Sequence, residues 1–139
     1  TVWARKWKQE VGLGIVPYYI FVARDIGVQQ YSDVPLHIAH SIYSDTLRQC
    51  SGLVRTVRGP SMSCTPGKVE AAGVVENSPL PGEKAFCLRI LQCRYAACIG
   101  RPFFAKYCEK AVWYDELEPV GGREFPWDDD GNIKPSAWA

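Results

Sequence analysis

An excess of charge of either sign is the first thing this chain lacks. Sixteen Lys and Arg stand against fifteen Asp and Glu, for a net charge of +1. That balance leaves no basic stripe of the kind nucleic-acid binders present. Histidine is scarce, with two residues, and methionine scarcer, with one. There is no Cys-x-x-Cys pair and no histidine at ligand spacing from a cysteine, which argues against a zinc site. There is no Gly-x-Gly-x-x-Gly and no Walker loop, so nucleotide binding has no support. No long apolar run occurs either. Val11 to Ala23 (VGLGIVPYYIFVA) is thirteen residues without a charge, whereas a membrane-spanning helix needs about twenty. Asn77-Ser78 is followed by Pro79, so it makes no glycosylation acceptor. No small-residue cleavage site follows the opening, and no secretory signal is read there. No internal repeat or low-complexity segment occurs.

What the chain does have is the content of one domain. Its 139 residues are 47% hydrophobic, which sets it apart from disordered sequences. Ten prolines and twelve glycines interrupt it often and predict few long elements. Five tryptophans and seven tyrosines suit either an interface or a core.

Taken in order, residues 1–30 are a basic-aromatic opening followed by a short apolar anchor or core helix. Trp3 and Trp7 are four apart and share a helical face, with Arg5, Lys6 and Lys8 beside it. Residues 11–23 read as a core or partner-buried helix, as a membrane-embedded or interfacial segment in contact with lipid, or as a strand. Pro17, Gly12 and Gly14 weaken a helix there. Residues 28–35 read as a linker. Residues 31–82 hold a helix from near Pro35 to Cys50, with Ser32 or Asp33 as cap and Gly52 just past its end. An extended arm follows, with a short strand at LVRTV (53–57). Residues 83–118 form a cysteine-rich helical region, with one helix over 83–97 and another from Pro102 to about Leu117. Residues 119–139 are a coil arm. The fold class expected is mainly α with extended coil: about three or four short helices, clamped by disulfides, with long irregular arms.

Cys50, Cys64, Cys87, Cys93, Cys98 and Cys108 are the disulfide candidates, an even number whose pairing the spacing leaves open. The alternative is six reduced core thiols. Trp3, Trp7, Tyr18, Tyr19, Phe21, Trp113, Phe125 and Trp127 are the candidates for contact with a membrane or partner. Other groupings read two ways. His37 and His40 make half a metal site or a surface pair. Asp128-Asp129-Asp130-Gly131-Asn132 makes a calcium-like loop that lacks its closing Glu, or a solvated turn. Asp115, Glu116 and Glu118 make a carboxylate set or a solvated helix end.

Three resemblances follow from these residues. Cys98 and Cys108 have the spacing of the CX9C motif of the coiled-coil-helix-coiled-coil-helix family. Trp113, Asp115-Glu116 and Gly122-Arg123-Glu124-Phe125-Pro126 are similar to the C-terminal end of the cytochrome c oxidase subunit VIb family. Together they imply import into the mitochondrial intermembrane space, oxidation there, and a structural place in a respiratory complex. Cys87 and Cys93 depart from that pattern, being separated by five residues instead of nine. The opening, with its Trp/Lys start, central Pro17 and Arg24-Asp25, resembles the small accessory subunits of mitochondrial complex I, which cross or touch the inner membrane. Gly59-Pro60-Ser61-Met62 resembles the nucleophile box of signal peptidases, where a lysine serves as base. Here Thr65-Pro66 is inverted, and Lys68 and Lys84 stand in other contexts.

The function expected is therefore a non-catalytic accessory subunit of a mitochondrial respiratory complex, complex I first and cytochrome c oxidase second. It would lie on the intermembrane-space side of the inner membrane and stabilise neighbouring subunits. No cofactor, metal, nucleic acid or small-molecule substrate is expected. A secreted, disulfide-stabilised binding or inhibitor protein is the alternative. A serine peptidase using Ser61 in a cleft near a lysine is the third reading.

Overall fold

Phe86, Leu88 and Ile90 alternate with Cys87 and Arg89, and that period of two decides the architecture. In the computed structural model, which describes residues 1–23, 33–122 and 124–138, these residues lie on a strand. The expected mainly α, disulfide-clamped fold is overturned. The described chain has two α-helices and a five-stranded sheet, and all six cysteines are free thiols.

The helices are α1 (Val2–Gly12) and α2 (Leu36–Arg48). The strands are β1 (Tyr19–Phe21), β2 (Arg58–Cys64), β3 (Gly67–Glu76), β4 (Lys84–Cys93) and β5 (Pro102–Lys106). Spatial order follows chain order. β2 to β5 form an antiparallel meander. β1 pairs parallel with β2, and α2 lies in the connection between them, as parallel neighbours require a crossover.

Helix α1 begins where the hydroxyl of Thr1 accepts the Ala4 N–H at 3.0 Å, an N-cap that occupies one of the free donors of the first turn. It buries Ala4 and Trp7. Past Gly12 the chain turns at Gly14, whose φ is +82°. Helix α2 matches the expected 35–50 helix. Its N-cap is Pro35, with no side-chain cap; of the two cap candidates, Asp33 does not serve and Ser32 lies outside the described residues, as does most of the expected linker. The strand expected at 53–57 is instead a 3-10 turn, Gly52–Thr56.

The two C-terminal helices of the sequence reading are strands β4 and β5. Phe86, Leu88 and Ile90 are wholly buried on one face of β4, and β5 sends Phe103 and Ala105 into the same core. Pro102 opens β5, since a proline is tolerated as the first residue of a strand as readily as in a first helical turn. The arm expected over 51–82 supplies the central strands β2 and β3.

Two cores result. The larger joins Met62, Val69, Phe86, Leu88 and Ile90 to Leu36 and to the C-terminal arm through Ala111, Trp113, Tyr114, Leu117 and Trp127. The smaller joins Ala4 and Trp7 to Cys50, Val54 and Val57. They lie toward opposite ends of β2. α1 packs near Val57, before the strand starts, whereas Arg94 donates to the Asp130 carbonyl at 2.6 Å and Gly131 lies against Thr65, just past the strand's end. The arm also covers the β5 edge, where Ala105 bridges to Pro119.

Glu70, 2% exposed, ties the middle of the sheet together. It faces Ser61 on β2 and Arg89 on β4 in register. The Arg89 guanidinium donates to Oε1 through Nε at 2.6 Å and through Nη2. The Gly59 N–H donates to Oε2 at 3.2 Å. The Arg89 side chain is 41% exposed, so the two partners are not equivalent. Replacing Arg89 strands a buried carboxylate, whereas replacing Glu70 leaves a guanidinium that already reaches water. Arg89→Met is expected to cost about 3 kcal/mol in urea denaturation and Glu70→Gln about 1 kcal/mol. Equal costs would show that burial of the carboxylate is not what matters.

Candidate functional site

Residues 13–21 put apolar side chains where water should solvate them. Leu13 is 78% exposed, Ile15 54%, Val16 55%, Tyr18 68% and Phe21 57%. The chain between α1 and β1 cannot turn these groups inward, because Pro17 takes the buried position there and β1 is only three residues long. The Arg58 N–H donates to the Tyr18 carbonyl at 3.0 Å and the Val22 N–H to the Ser61 carbonyl at 3.0 Å, which fixes the segment on the sheet edge. Ten of the thirteen exposed large hydrophobic side chains among the described residues fall between Val2 and Ile42. The exposed apolar side chains are therefore concentrated in the first third of the chain.

A groove of about 350 Å³ opens in this region. Trp3 of α1, Tyr19 and Phe21 of β1, Ile42 of α2 and Pro60 of β2 line it. β1 approaches β2 closely at this point because position 59 is glycine: a Cβ there would stand 2.5 Å from Ile20. Each of the exposed aromatics at the rim carries an ammonium group, Lys6 at 5.2 Å over the Trp3 ring and Lys68 at 5.1 Å over Phe21. Such contacts are favourable because the ring face is electron-rich. α1 has one acid, Glu10, which lies 4.0 Å from Lys6, and residues 11–23 carry no charge.

Of the eight expected contact residues, Trp3, Trp7, Tyr19 and Phe21 line this groove, and the Tyr18 ring lies 4.0 Å from that of Tyr19. Trp7 is buried beneath them in the smaller core. Trp113 and Trp127 are buried in the larger core, and Phe125 packs on it, stacked on Trp127 at 5.4 Å. The basic-aromatic opening was enough to single out the first group. Ile42 and Pro60 belong to the same groove but come from distant sequence, and nothing local marked them.

The cysteines correct the CX9C expectation. Cys98 ends a 3-10 turn (Ala96–Cys98) and Cys108 lies beyond β5, so the pair does not stand on one helix. The respiratory-chain inference drawn from that spacing loses its footing. Cys64 and Cys93 each lie opposite Gly67, on the strands to either side of it. No residue other than glycine fits there, since a Cβ would come 2.1 Å from the Gln92 carbonyl oxygen. Burial pushes the Cys64 thiol up to about 11, and burial raises Cys87 as well. These are half-buried thiols held protonated, the opposite of reactive thiolates.

Ser61 is wholly buried, and its Oγ donates to the Ile20 carbonyl at 3.1 Å. Lys68 is engaged with Phe21, while Lys84 stands 3.7 Å from Glu76 and 5.6 Å from the Tyr107 ring centre. The structure does not bring Ser61 into a cleft beside a lysine. His40 Nε2 lies 3.2 Å from the Ala72 carbonyl, and His37 packs against Tyr107. Asp128 accepts the N–H groups of Asp130 and Asn132 at 3.0 and 2.8 Å, which makes the acidic run an internally bonded turn. Asp115, Glu116 and Glu118 do not share a helix; the first two lie in the 3-10 turn Tyr114–Glu116. Among the described residues, no group of three His, Cys, Asp or Glu side chains could hold a metal ion, and no helix is long and apolar enough to cross a membrane.

No protein-family model, curated protein or solved structure matches this chain.

Two outcomes follow for the thiols. Denatured without reductant, the protein is expected to titrate six thiols with a chromogenic disulfide reagent; four would indicate an oxidised pair. Because the Cys64 pKa in the fold, about 11, lies above its ordinary 9.0, folding favours the protonated form. That contribution is complete below pH 9 and is lost as the pH rises toward 11. Stability measured across this range is expected to fall, and to fall less steeply in Cys64→Ala.

Proposed function

We propose that this chain is a non-catalytic accessory protein that docks on a lipid surface through residues 2–23 and the groove beside them. One observation carries the reading: five large apolar side chains stand more than half exposed within nine residues that hold no charge. Apolar patches of that kind mark interaction surfaces. The arrangement suits a bilayer's polar boundary. Leu13, Ile15 and Val16 are positioned to enter the acyl region, Trp3 and Tyr18 to lie at headgroup level, and α1 to rest in the plane of the surface with its cations facing water and headgroups. The chemistry elsewhere is consistent with a role without catalysis. The candidate nucleophile Ser61 is sealed in the sheet, and the thiols of Cys64 and Cys87 are held protonated.

Co-sedimentation with phosphatidylcholine vesicles tests the reading. The wild type is expected to partition onto them. Burying an aliphatic side chain is worth about 1.5–3 kcal/mol, so even half-insertion of two residues gives more than a tenfold effect. Leu13→Asp with Ile15→Asp is expected to lower partitioning at least tenfold. Ile99→Asp, an exposed apolar site on the turn before β5, should leave it unchanged. Equal loss in both variants, or no partitioning of the wild type, would count against lipid docking.

A further inference from the structure

Beyond lipid docking, we propose that the sheet face turned away from the two cores binds single-stranded nucleic acid, with the rings of Tyr18, Tyr19 and Phe21 stacking on bases and Arg58 and Lys68 meeting phosphates. Strand register places these groups on one face. Ile20 packs against the smaller core and Val22 in the larger, so Tyr19 and Phe21, which alternate with them, point the other way. Lys68 and Gln92 are cross-strand partners and share a face. The Lys68 ammonium stands 5.1 Å over the Phe21 ring, and the Gln92 amide donates to the Tyr19 hydroxyl at 3.2 Å and the Tyr18 hydroxyl at 3.4 Å. Arg58, exposed on β2, is in register with Tyr19. The ring centres of Tyr18 and Tyr19 are 4.0 Å apart and those of Tyr19 and Phe21 5.8 Å, so the three rings form one continuous platform.

The chemistry around the platform selects the ligand. Beside the rings, Ser63, Lys68 and Gln92 make one cross-strand row and Ser61, Glu70 and Arg89 the next. Neither row holds an aliphatic side chain against which an acyl chain could be buried. Rings set among cations and hydrogen-bonding groups suit bases joined by phosphates, because every base has a face that stacks. Glu70 is the one acid in these rows, and it is buried and held by Arg89. Among the described residues, neither Arg58 nor Lys68 has an acidic partner. The charge balance of the whole chain hides the patch. Its cations come from β2 and β3 and its rings from β1 and the residue before it, while eight of the fifteen acids that offset the cations lie between residues 109 and 134.

Fluorescence anisotropy with a labelled thymidine oligonucleotide of about ten residues, read across salt concentrations, tests the proposal. The wild type is expected to bind it, and to bind a duplex of the same length more weakly because paired bases are already stacked. Two phosphate contacts give a slope of log affinity against log salt of about −1.4. Lys68→Gln and Arg58→Gln are each expected to reduce that slope by about 0.7. Tyr18→Ala and Phe21→Ala are each expected to weaken binding about fivefold or more with the slope unchanged. Should Phe21→Ala disturb β1, the more exposed Tyr18→Ala, just before the strand, carries the same test. Tyr18 and Phe21 also belong to the exposed opening, so the two ligands are separated through residues that only one of them uses. Leu13→Gln with Ile15→Gln is expected to lose vesicle partitioning and keep the oligonucleotide.

Absence of oligonucleotide binding would overturn the proposal and leave lipid docking untouched. Equal affinity for an abasic oligonucleotide, or for the duplex, would show that the rings do not stack on bases and would overturn the platform. Binding to phosphatidylserine vesicles that depends on Lys68 and Arg58, with no oligonucleotide bound, would assign the face to lipid instead.

Discussion

The fold depends on one buried carboxylate. Glu70 takes the Gly59 N–H from β2 and the Arg89 guanidinium from β4, so three strands meet at one side chain. A carboxylate in that position is tolerable only when it is paired and hydrogen-bonded. Its demand for partners fixes the register between β2, β3 and β4, where a slip of one residue would turn Glu70 toward the apolar face. The constraint reaches β1 as well. Gly59 supplies the N–H, and because it has no Cβ it also admits Ile20. The parallel edge strand, and the exposed apolar segment that leads into it, are held in place through the same residue.

The parts of the fold that sequence alone made legible are local ones. α2 was readable because Leu36, Ala39, Ile42, Tyr43 and Leu47 follow helical spacing between a proline and a glycine. The shared face of Trp3 and Trp7 was readable for the same reason. The sheet was not. In β4 the residues that alternate with Phe86, Leu88 and Ile90 include Cys87 and Leu91, which are apolar enough to blur the period of two, and Cys93 ends the strand in the same way. The cysteines then invited a helical hairpin whose first spacing, Cys87 to Cys93, never fitted. Pro102 is compatible with both a helix start and a strand start. β1 is three residues inside a longer apolar run, too short for any periodic signal. The Glu70–Arg89 pair spans nineteen positions and becomes visible only once the register is known.

The candidate site divides in the same way. The aromatic and basic residues of the opening could be named from sequence because they are neighbours along the chain. Ile42 and Pro60 could not, because α2 and the meander bring them to the groove. Trp113 and Trp127 show the reverse error. Their aromatic character suggested a surface contact, but the C-terminal arm folds back and uses them to close the larger core. The rings of the arm close the larger core; in the opening Trp7 closes the smaller one, while Trp3, Tyr18 and Phe21 are left exposed.

The position of that arm has an electrical consequence. Between residues 109 and 134 the chain carries eight acidic and three basic residues, and this arm closes the end of the sheet remote from α1. With almost no net charge, the chain still separates charge between its basic opening and this acidic arm, which contributes a dipole moment. Such a moment exerts a torque in the field of a charged surface even where the net force is close to zero, and it acts over about a Debye length. At an anionic surface such a torque would turn the basic opening inward and the acidic arm outward.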